Sequence, residues 1–442
     1  MEQSRRYDRK FWRFALPSML SQLLNSLFII VDGYFVGQNL GDAGLAAINV
    51  AWPMVALIQA ISMAVGTGGA VWLAMDVGRN DLESALKSRG HAVAMLAVTS
   101  VVMGALFFVT YPLILPLLGA NEDLYGLTEE YIRVVCIFAA CQVFITGLLP
   151  LLRGAGRTMA AMVLNILGLL GNIWLDWLFI HHYHWGMAGA ALATALSQGV
   201  SAFLALILLF AHKGMPVKLS QFRPERRRIL GILYYGCSAF GLTISTSILI
   251  LITNLRALRY GGTQGVAVYA VLSYVLGSVL PLVSGVGDGI QPLLSNSYGA
   301  YDWDSIARLR HKGLGLAVGT ACACSVACWI FREELPLVFG ASPWAAEEGA
   351  GAMWTLVLAF PFMAAARFLC SYFCALGMAG ASSVISYGEP LVVQPLFLLI
   401  LPLSLGHGGV WISYPVAMIV MTVIAWTMLM AHRKRHPLPA VK

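Results

Sequence analysis

The sequence has few charged residues. Only 11% of its 442 residues are Asp, Glu, Lys or Arg, whereas 59% are hydrophobic. Soluble domains carry about a quarter charged residues, so this composition excludes a soluble globular protein. Apolar stretches of roughly 18 residues or more, long enough to cross a membrane, recur along the whole chain. The sequence therefore predicts an all-α protein that crosses the bilayer many times, with no segment left for a soluble catalytic domain.

We count about twelve such stretches by length and apolar character. They lie near 12–36, 45–74, 90–117, 131–152, 158–181, 187–211, 229–255, 265–296, 313–331, 350–376, 380–405 and 409–431. The first is too long, and its end too poor in small residues, to be a cleaved signal peptide.

The sequence also lacks the motifs that mark common enzymes. It has no HExxH, no phosphate-binding loop and no Ser–His–Asp grouping, so we expect no enzymatic activity. The 8 cysteines lie mostly inside the apolar stretches, without histidines at metal-ligand spacing, so we expect neither a metal site nor a cofactor. The histidines of HHYH at 181–184 fall on a connecting loop, where solvated side chains are the better account.

Basic residues are scarce in alternate loops, although Arg256, Arg259 and Arg332 depart from this pattern. The segment 119–130 has none, whereas 5–13, 212–228 and 433–435 are rich in them. Lys and Arg in short loops accumulate on the cytoplasmic side of a membrane. This placement predicts a plasma-membrane protein with both termini in the cytoplasm. It also accounts for the net charge of +7, so we expect the lipid bilayer, and not nucleic acid, as the partner.

The two halves of the sequence resemble each other at a constant offset of 221 residues. Eight small or polar residues are identical at this offset. The pairs are Gly41/Gly262, Gly44/Gly265, Ala46/Ala267, Gly66/Gly287, Gly68/Gly289, Gly78/Gly299, Asp81/Asp302 and Ser84/Ser305. A one-residue slip then aligns Gly186 and Gly189 with Gly406 and Gly409. The constant offset indicates an internal repeat, because single glycine matches would be scattered.

This repeat predicts two lobes of six helices, at 1–211 and 229–442, joined by a polar cytoplasmic linker at 212–228. An even number of spans leaves both repeats with the same orientation, related by a pseudo-two-fold axis along the membrane normal. Transporters with parallel repeats of this kind hold their substrate near the bilayer midplane, between the lobes.

Polar residues inside the apolar stretches are concentrated on two helices of the first half. Asn25 and Asp32 are seven residues apart in the first span, and Asn165, Asn172 and Asp176 follow the helical period in the fifth. Facing lipid, these groups would remain unpaired at a cost of several kcal/mol each. We expect them to face the lobe interior or a cavity. The aspartates are then either a proton or cation site, or solvated residues at helix ends.

The second half has a different set of charges. The positions equivalent to the two aspartates are Thr253 and Phe397, and the half carries Asp288, Arg367 and Glu389 instead. An unpaired guanidinium in hydrocarbon is very costly. We therefore expect Arg367 to form a buried ion pair with Glu389 or Asp288, with a site for a substrate anion as the alternative.

Several motifs, in order along nearly the whole chain, resemble those of the multidrug and toxic compound extrusion (MATE) family. They are VDGYFVGQNLGDAGLAA at 31–47, GAGRT at 154–158, NIWLDWLFI at 172–180 and QPLLSNSYGA at 291–300. Within the family the sequence is most similar to the DinF-like branch.

The resemblance implies a secondary active multidrug efflux transporter that exchanges cationic or amphipathic small molecules for protons or sodium ions by alternating access. It also implies that Asp32, Asn172 and Asp176 form a cation site, with Asn25 nearby. We expect a monomer. Candidate residues lining the cavity are Phe28, Gln142, Asn165 and Gln198.

Two other transporter classes compete with this interpretation. A flippase or exporter for a lipid-linked saccharide or another amphipathic metabolite would need a basic cavity, for which Arg367 is the deep cation on offer. A major-facilitator transporter shares the expected span number, but the loop at 75–89 lacks the acidic–basic–glycine signature usual in that family.

Overall fold

The computed structural model describes residues 2–120, 122–211, 216–338 and 343–435. Within these ranges, side chains are not described at 2–7, 27–34, 42, 122, 123, 219, 263, 264, 267, 337, 338, 343, 345, 433 and 435. The described residues form helices and contain no strand, which confirms the all-α prediction.

The helices are α1 Glu2–Gly78, α2 Leu82–Leu117, α3 Glu122–Ile137, α4 Ala139–Gly154, α5 Thr158–Asp176, α6 Gly186–Phe210, α7 Arg226–Gly299, α8 Trp303–Ile330, α9 Glu334–Val338, α10 Pro343–Ala375, α11 Ala379–Gly388, α12 Gln394–Leu405 and α13 His407–Arg435. A 3₁₀ turn covers Leu219–Phe222, and π-helical turns cover Trp177–His182 and Glu389–Val393.

The helices are long and apolar enough for a multi-pass membrane protein. In the described residues, 10 segments could each cross a bilayer, and the pair Leu124–Ile137 and Ala139–Gly154, bent by 61°, would make 11 if it acts as one span. The part of α1 before Gly41 corresponds to the first span expected from the sequence. Some of its side chains lie outside the described residues.

Backbone conformation repeats at the offset found in the sequence. Gly41 breaks α1 with φ +64° and ψ −161°, and Gly262 breaks α7 with φ +61° and ψ −156°. This region of backbone space is essentially restricted to glycine. Other positive-φ residues also recur in pairs: Asn80 with Tyr301, Gly156 with Gly377, and, after the one-residue slip, Gly186 with Gly406. The two halves therefore share one plan of helices and turns.

The helices that follow the first hairpin of each half begin in the same way. Asp81 caps α2 by accepting a hydrogen bond from the Ser84 backbone N–H at 2.9 Å, and Asp302 caps α8 by accepting from Ser305 at 3.0 Å. The bond from Ser84 lowers the pKa of Asp81 below its usual value. Both carboxylates thus satisfy a free amide at a helix N-terminus.

The compact units of the structure differ from the halves of the sequence. One, the C-unit, is Met1–Gln22 with Ile244–Lys442, and the other, the N-unit, is Leu23–Thr243. The start of α1 thus packs with residues of the second half, and the start of α7 packs with residues of the first. The lobe boundaries drawn from the sequence, including the linker at 212–228, stay a prediction.

Glycines explain these helix crossings. In the C-unit, a Cβ on Gly285 would lie 2.7 Å from Met19 Cα, and one on Gly289 would lie 2.7 Å from the Phe14 carbonyl oxygen. In the N-unit, side chains on Gly68 and Gly236 would collide with the carbonyl oxygens of Ile232 and Ala64, respectively. Small residues allow membrane helices to approach this closely.

Charged residues attach the start of α7 to the rest of the N-unit. Arg228 Nη1 lies 3.3 Å from Asp76 Oδ2 and donates to Ser88 Oγ at 2.8 Å, while Arg228 Nε donates to Glu225 Oε2 at 2.9 Å. Lys87 Nζ lies 3.0 Å from Glu225 Oε1, and its hydrogen bond lowers the pKa of Glu225.

Candidate functional site

Asn172 and Asp176 form the centre of the candidate site in the N-unit. They lie one helical turn apart on α5, and each side chain is 0% exposed. Asn172 Nδ2 donates to Thr194 Oγ1 of α6 at 3.4 Å. No described residue donates to Asn172 Oδ1. The site therefore offers a buried amide oxygen beside a buried carboxylate.

The backbone changes its winding directly after Asp176. The π-helical turn Trp177–His182 follows without a break, and Phe179 in this turn stacks on Trp185 with ring centroids 4.8 Å apart. Such turns are frequent at functional sites. Asp176 lies at a helix end, as the solvated alternative required. Its complete burial excludes that alternative within the described structure, whereas the histidines of the HHYH loop are exposed.

The other residues expected at this site occupy different environments. Gln142 on α4 is 8% exposed, Asn165 on α5 and Gln198 on α6 are half-buried, and Asn25 on α1 is exposed. The side chains of Asp32 and Phe28 lie outside the described residues. The structure thus brings Asn172 and Asp176 together. A role for Asp32 at the same site stays a prediction.

The C-unit holds a buried ion pair. Arg367 Nη2 on α10 donates to Glu389 Oε1 at 2.9 Å, and the two side chains are 11% and 2% exposed, respectively. Asp288, the other expected partner, instead accepts a hydrogen bond from Gln22 Nε2 at 2.5 Å. Of the two carboxylates proposed from the sequence, the structure places Glu389 against the guanidinium.

Sequence reasoning missed Thr194 and Gln394. Thr194 provides the hydroxyl beside Asn172, but it follows alanines and leucines with no polar periodicity. Gln394 comes directly after the second π-helical turn and is 4% exposed. A glutamine in an otherwise apolar stretch, five residues after Glu389, was the available signal. Among the described residues, no three His, Cys, Asp or Glu side chains are grouped as metal ligands would be.

A family comparison covers most of both halves. The MatE family model matches residues 17–178 and 239–396, so it covers the second π-helical turn and the first two residues of the first. The chain belongs to the MatE family. These two ranges contain Asp32, Asn172 and Asp176 of the first half and the Arg367–Glu389 pair of the second.

Curated relatives of the chain are named as export proteins. The chain is 27% identical over 294 residues to the multidrug export protein MepA of Staphylococcus saprophyticus, and 26% identical over 298 residues to MepA of Staphylococcus haemolyticus. Each match covers 64% of this chain and 63% of the relative. The chain is thus matched over somewhat less than two thirds of the relatives' length.

Solved transporter structures share the fold over almost the whole chain. A multidrug resistance MATE family transporter in an outward-facing conformation superposes with a TM-score of 0.91 at 24% identity, covering 97% of each chain. A transporter of the MOP superfamily from Pyrococcus furiosus superposes with a TM-score of 0.89 at 25% identity, covering 97% of this chain and 96% of that one. The latter is described as having a binding pocket of reverse polarity that suggests a different function.

Proposed function

We propose that this MatE protein is a secondary active exporter, which exchanges cationic or amphipathic small molecules for protons or sodium ions by alternating access. Family membership and the naming of its relatives as multidrug export proteins support this class. The observation that carries the proposal is the complete burial of Asp176 beside Asn172, inside an apolar helix of the N-unit. The DinF-like assignment and the monomeric state stay predictions.

Burial makes it favourable for the Asp176 carboxylate to bind a cation or a proton. An ionised carboxylate at membrane depth costs several kcal/mol unless a cation or proton neutralises it. A coupling ion and a cationic substrate can each do so, and they compete when they need the same carboxylate. Binding of the ion then weakens binding of the substrate, and binding of the substrate weakens binding of the ion by the same factor. An ion gradient can therefore drive the release of substrate on one side of the membrane.

The amide oxygen of Asn172 supports a role for small cations. It is a neutral oxygen next to a carboxylate, and oxygen atoms are the ligands of hard metal cations. A proton needs only the carboxylate. Replacement of Asn172 by Leu should therefore reduce coupling to sodium more strongly than coupling to protons. Asp32, on α1, is the second carboxylate that we place in this exchange, on the basis of its position in the sequence.

The test is transport by the purified full-length chain in proteoliposomes. A fluorescent cationic substrate is loaded, and a proton gradient or a sodium gradient is imposed separately. We expect uphill transport with at least one gradient, and its loss in Asp176→Asn and Asp32→Asn. Glu83→Gln is the control, because the Glu83 side chain is 76% exposed. Full uphill transport by Asp176→Asn would show that this carboxylate has a structural role only.

The flippase alternative is less well supported. It requires a basic cavity, and the guanidinium that the sequence offered, Arg367, is already engaged by Glu389. Scrambling of a fluorescent lipid-linked saccharide in the same vesicles, without any ion gradient, would favour the alternative over ion-coupled export.

A further inference from the structure

The Arg367–Glu389 pair is joined by a single hydrogen bond. Arg–carboxylate pairs commonly form two parallel bonds, and these are the strong ones. Here Arg367 Nε and Glu389 Oε2 are both buried, and neither has a hydrogen-bond partner among the described residues. A buried pair offsets its desolvation only when such groups are satisfied. This pair therefore contributes little to the stability of the folded protein.

The pair lies at a second π-helical turn, as Asp176 does in the first half. Glu389 is the first residue of the turn Glu389–Val393, and Asp176 directly precedes the turn Trp177–His182. Glu389 is not the sequence equivalent of Asp176, since the offset of 221 leads to Phe397. In each half, a buried carboxylate thus lies at the start of a π-helical turn, although the two carboxylates do not occupy equivalent positions of the sequence repeat.

Side chains with further oxygen atoms interact with Glu389, are linked to it through other side chains, or follow it closely in the sequence. Tyr414 on α13 interacts electrostatically with Glu389, Arg367 and Tyr269, and Tyr269 forms a side-chain hydrogen bond with Thr253. Thr253 is the equivalent of Asp32. Gln394, which follows the turn, has a buried Oε1 without a donor in the described part of the chain. Carboxylate, amide and hydroxyl oxygens are thus present, as a site for a proton or a small cation requires.

The two halves differ in their fixed positive charge. The helical segments 14–78 and 158–211, which carry Asp32, Asn172 and Asp176, contain no Lys or Arg. The C-unit has Arg367 in the C-terminal third of α10, paired with the carboxylate of Glu389. A guanidinium keeps its charge at every physiological pH. It therefore neutralises Glu389 permanently, as a transported ion would do only while it is bound.

We propose that Arg367 is a tethered cation that occupies a second cation site, so that Glu389 takes up neither a proton nor a sodium ion during the transport cycle. This inference rests on the proposed function and deepens it. The number of ions exchanged per substrate is then set by the N-unit alone. Removing the guanidinium while keeping Glu389 should allow the second site to bind a proton or a sodium ion. Removing both side chains should abolish this binding.

The test compares proton uptake by purified protein in detergent, measured by carboxyl infrared difference spectroscopy between acidic and alkaline pH. Arg367→Gln should gain one protonating carboxyl relative to the unmodified protein, and Arg367→Gln/Glu389→Gln should lose that gain. Arg367→Lys, which retains a tethered cation, should behave like the unmodified protein. The other titratable groups around the pair are Cys370 and Cys374 of α10, Tyr414 of α13 and Tyr269 of α7, and they remain in all variants.

Two results of this spectroscopy would overturn the inference. One is a carboxyl signal in the unmodified protein that Glu389→Gln removes, since Glu389 would then already exchange protons. This comparison stands even if Arg367→Gln does not fold. The other is a folded Arg367→Gln variant with no additional protonating carboxyl. Neither measurement involves transport, so the proposed export function can fail independently of this site.

In vesicles, the proposal makes a second, separate prediction. Where Arg367→Gln still transports, its exchange should carry one more proton or sodium ion per substrate than the unmodified protein. The steady-state substrate gradient at a fixed ion gradient reports this ratio. An unchanged ratio in a variant that does gain the carboxyl signal would show that the opened site lies outside the transport cycle and would overturn the tethered-cation role.

Discussion

At the scale of single residues, Arg89 shows what a fully buried charge requires in this protein. It lies on α2, is 0% exposed, and donates to the carbonyl oxygens of Leu209 at 3.3 Å and Pro216 at 3.0 Å and to Gln221 Oε1 at 2.9 Å. The guanidinium also lies 4.8 Å from the ring centroid of Phe210. One side chain thus holds the end of α6 and the segment that follows it.

We predict that Arg89→Ala will strongly destabilise the N-unit. The substitution leaves three acceptors without their donor, and each buried unsatisfied group costs about 1–3 kcal/mol. The apparent melting temperature in detergent should fall by many degrees. Arg79→Ala is the matched control, because the Arg79 side chain is 45% exposed and should be dispensable. Equal melting temperatures for the two variants would contradict this role of Arg89.

The sequence revealed some of these residues and not others. Periodicity placed Asn172 and Asp176 on one helical face, and the cost of a buried charge suggested a partner for Arg367. Nothing in the sequence showed that Asp176 is buried at its helix end, because this depends on how the following π-helical turn directs the chain. The buried pair of Arg367 with Glu389 was among the predictions from the sequence, but the position of Glu389 at the start of a second π-helical turn was not.

At the scale of elements, the breaks at Gly41 and Gly262 divide α1 and α7 into two helices each. Constant spacing of glycines predicted the repeat, and the matching backbone angles show its physical basis. The exchange of helix starts between the two units was not predictable in this way. Similarity between repeats orders the elements along the chain, but it does not specify which unit each helix packs against.

We expect Gly262→Ala to destabilise the protein by about 1–3 kcal/mol, since alanine would be held in a region of backbone space that is open only to glycine. The neighbouring Gly261→Ala is an unusually close control. A Cβ there would meet its nearest atom, His407 Cβ, at an ordinary 3.9 Å, and Gly261 has no positive φ. Thermal unfolding of both variants would decide the matter, and a neutral Gly262→Ala would exclude strain at this break.

At the scale of the whole molecule, charge distribution and hydropathy act on the same chain in different ways. Apolar length determines which segments cross the membrane, whereas Lys and Arg in the connecting segments determine the direction of crossing. The long apolar helices of the structure agree with the expected spans. The direction in which each span crosses the membrane follows from the connecting segments. Orientation therefore rests on the basic residues of 5–13, 79–89 and 212–228 against the acidic segment 119–130.

We predict that residues 5–13, the 79–89 connection and the C-terminal end of α13 lie on the cytoplasmic side, with segment 119–130 outside. Basic residues resist translocation, and this chain concentrates them on one side of alternate spans. In intact cells, a reporter active only in the cytoplasm should work when inserted after Asp81 or fused after Arg435, and fail when inserted after Ala120. A reporter active only outside should show the reverse at all three positions. Activity of the cytoplasmic reporter at Ala120 alone would show that the protein has the opposite orientation in the membrane. The proposed direction of export would then be wrong as well.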